Sequence, residues 1–188
     1  MKERKSSPRL QGYNYALAGY YFLTICTAGR EPRFGSVQSE QMVLNAAGKV
    51  IGQSWLDLPN HYSHLALDEF IVMPNHLHAI IILQEGGGRD RFINLSLQNP
   101  SIQKSGEDGA QSSIQKDLSE IIRGFKTWSA RKINELEGTT GTSVWQRSYY
   151  DHIIRDEKSL DSIRVYIREN PLKWALDAEN PANFAGMS

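Results

Sequence analysis

Residues 70–83 read Phe-Ile-Val-Met-Pro-Asn-His-Leu-His-Ala-Ile-Ile-Ile-Leu, two apolar runs split by Pro74-Asn75. Proline fixes φ and lacks an N–H, and asparagine tolerates turn geometry, so the pair reverses the chain between extended segments. The β-branched residues on either side favour strands. A hairpin is therefore predicted, with buried strands over 64–73 and 76–84. Successive strand side chains point to opposite faces, so His76 and His78 share one face while Leu77 takes the other. Two neutral imidazoles on one face suit a single metal ion, and two satisfied core histidines are the plainer alternative.

The remaining elements follow from periodicity. Residues 19–27 have the aromatic and β-branched content of a first strand, and 29–35 form a polar turn. Val43, Ala47, Val50, Ile51, Ser54, Trp55 and Leu58 recur at helical spacing, ended by Pro59-Asn60. Leu118, Ile121, Ile122, Phe125, Ser129, Ile133 and Leu136 mark a second helix. Residues 144–154 read as a fourth strand, and Asp156 caps a third helix over 157–170, stopped by Pro171. Residues 1–11 form a basic arm, 85–113 a flexible Gly- and Ser-rich linker, and 172–188 a tail that packs through Leu172 and Trp174. The order predicts one α+β domain over 1–188, a ferredoxin-like or RRM-like βαββαβ core. Its four-stranded, mainly antiparallel sheet is covered by helices on one face, with one helix appended at the C-terminal end.

Lys plus Arg and Asp plus Glu number 21 each in 188 residues, so no protein-wide basic field points to nucleic acid. Phosphate binding would need a local patch. The single cysteine, Cys26, excludes an intrachain disulfide and fits a reducing compartment. It lies in the first apolar strand, where a small buried side chain is expected rather than a nucleophile. No stretch approaches the roughly 20 apolar residues of a membrane span. The expectation is a cytoplasmic protein without membrane contact. His61 and His64, three apart near a turn, read as surface residues.

On the last helix Leu160, Ile163 and Ile167 form the packing stripe. Tyr166 and Asn170, four apart, lie one above the other beside it. They are either site groups or an interfacial tyrosine followed by a helix-ending asparagine. Taken with Met73-Pro-Asn-His-Leu-His78, Val144-Trp-Gln-Arg147, Tyr149-Tyr-Asp-His-Ile-Ile-Arg155 and Tyr166-Ile-Arg-Glu-Asn-Pro171, the pattern resembles the single-tyrosine HUH transposases of the IS200-like group. More narrowly it resembles the REP-associated tyrosine transposases, over about residues 12–174 apart from the linker.

That resemblance implies His76 and His78 as metal ligands, Asn170 as the third ligand, and Tyr166 as nucleophile on the C-terminal helix. It implies Mg²⁺ or Mn²⁺ as cofactor and single-stranded or hairpin DNA as partner. The implied reaction is nicking and strand transfer through a 5′-phosphotyrosine intermediate, by a monomer or homodimer. Tyr149 and Tyr150 rank below Tyr166 because a strand holds them among core residues. Arg123 and Lys126 on the second helix, with Arg147, Arg155 and Arg164, are candidate phosphate contacts. Trp145 and Tyr150 are candidate stacking platforms for unpaired bases. Two other readings keep the same fold: a non-catalytic hairpin- or single-strand-binding regulator, and an RNA-recognition module.

Overall fold

β1 (Gly19–Cys26) is an inner strand of a four-stranded sheet. On one side it pairs antiparallel with β5 (His76–Leu83), on the other with β6 (Tyr150–Ile154). β4 (Leu65–Val72) completes the order β4-β5-β1-β6 by pairing antiparallel with β5. This is the predicted ferredoxin-like arrangement. The computed structural model describes residues 17–85, 116–177 and 179–183. The basic arm 1–11 and nearly all of the linker 85–113 lie outside the described residues.

The period-2 pattern of β1 and β5 divides the sheet into two faces. Tyr21, Leu23 and Ile25 with Leu77, Ala79 and Ile81 meet α1 (Ala46–Leu56) and α3 (Leu118–Leu136) in the main core. The ring of Trp55 on α1 stands perpendicular to Phe125 on α3, centroids 5.0 Å apart. On the opposite face Phe22, Ile80 and Ile154 pack with Leu160 and Ile167 of α4 (Glu157–Arg168). The helices therefore do not all share one face. The appended helix covers the other side, where its stripe of Leu160, Ile163 and Ile167 packs on Phe22 and Ile80.

Three boundaries differ from expectation. Residues 35–44 are a hairpin, β2 (Gly35–Gln38) and β3 (Gln41–Leu44), rather than turn and helix start. Val43 is strand, and α1 begins only after Asn45, whose side chain accepts a 2.9 Å hydrogen bond from the Gly48 N–H. Pro59-Asn60 lies within the short helix α2 (Leu58–His61), where proline in the first turn forfeits no hydrogen bond. The fourth strand starts at Tyr150 rather than at Val144. Trp145 makes only an isolated bridge to Thr27. His64 is also buried, 7 % exposed, with Nε2 3.0 Å from the Lys116 carbonyl, so it is not a surface residue.

Candidate active site

Register builds the first half of the site. His78 pairs with Thr24 and His76 with Cys26, so both imidazoles stand on the α4 face beside Phe22 and Ile80. Their ring centroids are 4.3 Å apart. His78 Nδ1 is hydrogen-bonded to Thr24 Oγ1 at 2.9 Å, which turns Nε2 outward. α4 supplies the second half: Tyr166 Oη lies 3.2 Å from His78 Nε2. The tyrosine is 41 % exposed, while both histidines are buried.

Asn75 fixes the chemistry of His76. Its Nδ2 donates to the Arg30 carbonyl at 2.9 Å and the Glu179 carbonyl at 2.6 Å. Its amide is thereby oriented, and Oδ1 must be the atom 2.9 Å from His76 Nδ1. An oxygen can only accept, so Nδ1 carries the proton and Nε2 presents a lone pair. That Nε2 is buried without a hydrogen-bond partner. Asn170 repeats the pattern. Its Nδ2 donates to Asp177 Oδ2 at 3.0 Å, and its Oδ1 is buried without a partner. Unpaired buried acceptors are costly, and a cation answers both.

Asp177 is the group that sequence reading missed. Ligand atoms of His76, His78 and Asp177 all lie within 4.8 Å of one another, and the cluster is buried. Burial lowers the His76 pKa to about 3, with the Arg30 charge adding to it. Burial and the neighbouring His76 also hold His78 well below the usual histidine range, against the pull of Asp177. Both are neutral at physiological pH, the form that binds metals. Two imidazoles, an amide oxygen and a carboxylate fit a divalent cation, and such a mixed N/O set is not a closed structural site. His76 and His78 stand together, and Asn170 joins them through its hydrogen bond to Asp177, a carboxylate from the tail. The tail's Trp174 ring is 6.0 Å from His76, and Glu179 reaches Arg30 at 3.2 Å. The only signal for Asp177 in the sequence was its closeness to Trp174 in an otherwise unperiodic tail.

The expected DNA contacts are scattered. Arg123, Arg147 and Arg155 are exposed, and Tyr150, 44 % exposed, meets Phe22 edge-on beside the site. Lys126 Nζ donates to the carbonyls of Gln146, Arg147 and Ser148 at 3.1, 3.4 and 3.0 Å, so it ties α3 to the segment before β6. Trp145 is a core residue, 6 % exposed, with Nε1 donating to Ser129 Oγ at 3.0 Å. A buried indole offers no face to a base. Arg164 is held by Asp68 on β4. No helix among the described residues is long and apolar enough to cross a membrane.

A model of the IS200-like transposase family matches residues 110–170, the stretch holding α3, β6, α4, Tyr166 and Asn170. An uncharacterized protein of Haemophilus influenzae is 40% identical over 178 residues, 92% of this chain and 91% of that protein. Among solved structures, a REP-associated tyrosine transposase bound to a REP hairpin superposes with TM-score 0.55. That match has 18% identity and covers 88% of this chain and 74% of the other. A putative transposase from Deinococcus radiodurans gives TM-score 0.45 at 16% identity, covering 84% and 92%. Over residues 110–170 the chain matches the IS200-like transposase family, and it has the fold of the REP-associated tyrosine transposase. The activity that goes with this family is that of a transposase.

Proposed function

We propose that the chain is a metal-dependent single-strand DNA endonuclease and strand transferase, cleaving beside REP-like hairpins with Tyr166 as nucleophile. The observation that carries this reading is the 3.2 Å approach of Tyr166 Oη to His78 Nε2, which sets a phenol against the buried donor cluster. The hairpin bound by the REP-associated transposase of the same fold supports DNA of that kind as substrate. His76, His78, Asn170 and Asp177 would hold the cation, Mg²⁺ or Mn²⁺. When bound, it supplies Lewis acidity toward a phosphate oxygen.

The remaining work falls to the chain. Asn75 and Thr24 hold the two imidazoles in their orientations. Tyr166 Oη attacks the phosphorus, the bond to the 3′-oxygen breaks, and the strand leaves as a 3′-hydroxyl. The phenolic proton passes to solvent on the exposed side of the ring, and the departing 3′-oxygen takes one up. The 5′-phosphate stays on Tyr166 as a diester, so a 3′-hydroxyl can reverse the step and join strands without ATP. Tyr150, on the same side of the sheet, is placed to stack on an unpaired base. A non-catalytic binding regulator would have no use for a phenol aimed at these donors.

The test is a labelled hairpin with a single-stranded flank, incubated with Mg²⁺ or Mn²⁺ and resolved under denaturing conditions. Wild type is expected to form a covalent adduct. Tyr166→Phe should abolish it while hairpin affinity changes little, and His76→Ala should remove the metal-dependent cleavage. An adduct that survives Tyr166→Phe but disappears with Tyr150→Phe would overturn the assignment of the nucleophile.

A further inference from the structure

α4 touches the sheet through one apolar stripe, so something else must fix its rotation and height if Tyr166 is to meet His78. The answer lies on β4. Its pairing with β5 slips between Leu67 and Phe70, a bulge that places an extra residue on the β4 side. Bulges re-aim side chains, and this one carries Asp68 and Glu69, both turned to α4. Asp68 Oδ1 and Oδ2 accept from Arg164 Nε and Nη2 at 2.9 and 2.5 Å, a two-point contact that fixes the guanidinium plane. Arg164 Nη1 also donates to Asp161 at 3.1 Å, and the Glu69 N–H donates to Asp68 at 2.7 Å. Arg168 Nη1 donates to Glu69 at 2.9 Å. Arg164 and Arg168 stand one turn apart on α4, two residues before and two after Tyr166.

We propose that Asp68 and Arg164 are positioning residues for strand cleavage: their bulge-borne contact sets the angle at which α4 presents Tyr166 to His78. This inference rests on the proposed nucleophilic role of Tyr166. The Asp68 side chain is 11% exposed and that of Arg164 31%, so the pair is partly shielded from solvent. Although burial raises the Asp68 pKa, hydrogen bonds from Arg164 and the Glu69 N–H bring it net below the usual carboxylate value, so it is ionised at neutral pH. Lysine in place of Arg164 would keep the charge and lose the fork.

The variants Asp68→Asn and Arg164→Lys are compared with wild type in single-turnover adduct formation on the hairpin substrate. The adduct rate should fall by ~10- to 100-fold, the scale of a reacting group misplaced by about an ångström. Hairpin affinity and Mn²⁺ affinity should each stay within about twofold, since Asp68 already engages the Arg164 guanidinium that sequence reading offered to phosphate, and neither residue is among the proposed metal ligands. Loss of hairpin and metal affinity in step with the rate would mark general destabilisation and overturn the proposal. Amide hydrogen exchange without DNA reads the latch independently of catalysis. Exchange in α4 around Tyr166 should rise in both variants while β1 and β5 hold. Unchanged α4 exchange overturns the latch even if wild type forms no adduct, whereas raised exchange without any wild-type adduct overturns only the nucleophile assignment.

Discussion

His76 shows how a single side chain can be read from both ends. In the sequence its only distinction is a second histidine two residues on. In the fold its Nδ1 proton is tied to Asn75 and its Nε2 is a buried, unpaired lone pair. A pH dependence follows. An ordinary histidine titrates near 6.5, and burial holds His76 at about 3 in the folded chain, with His78 lowered in the same direction. Between those values the unfolded chain binds protons that the native state refuses. Metal-free protein should therefore lose stability as pH falls from about 6.5 toward 3. Each imidazole adds up to about 1.4 kcal/mol per pH unit to the slope. His76→Gln should flatten this slope by up to one proton, checked by urea unfolding at a series of pH values. A variant slope as steep as wild type would show that His76 titrates normally.

At the level of elements, the strands and long helices were legible because their patterns are long and one-sided. The miss at residues 35–44 has a physical cause. Val43 falls in phase with the apolar stripe of α1, so the helical pattern extends backwards into a segment whose strands are only four residues each. Asn45 is the better signal, a capping residue just before Ala46. It accepts from the Gly48 N–H and donates from Nδ2 to the Arg33 carbonyl at 2.9 Å, joining the hairpin to the helix. Asn45→Ala is expected to cost about 1–2 kcal/mol in denaturant unfolding. A change below a few tenths would mean that the cap is replaced by solvent. The face taken by α4 was not legible, since nothing local in its sequence says which side of a sheet an apolar stripe will meet. Asp177 escaped for a related reason: it reaches the histidines only because the chain folds back after Pro171, with Asn170 Nδ2 binding its carboxylate.

For the molecule as a whole, a net charge of zero says nothing of where the charges sit. On the far side of the sheet from Tyr166, α3 and Tyr62 line a cavity of about 450 Å³ with Lys116, Arg123, Thr127, Trp128 and Arg131. Arg123, Thr127 and Arg131 follow one another at single helical turns, about 6 Å per step along the axis. Glu120 offsets part of this charge through Lys116 at 3.2 Å and Arg123 at 3.6 Å. Such exposed pairs are weak and give way readily to a phosphate. If this flank carries the duplex part of a hairpin, Arg123→Ala should weaken hairpin binding by about the same factor for every stem sequence. It should also reduce the salt slope of binding by about one. The single-turnover adduct rate at saturating DNA should be unchanged, because Arg123 lies across the sheet from the phenol. Titrations at several salt concentrations decide it. An affinity and slope equal to wild type would remove this flank from the DNA path and leave recognition to the side that holds Tyr150 and Tyr166.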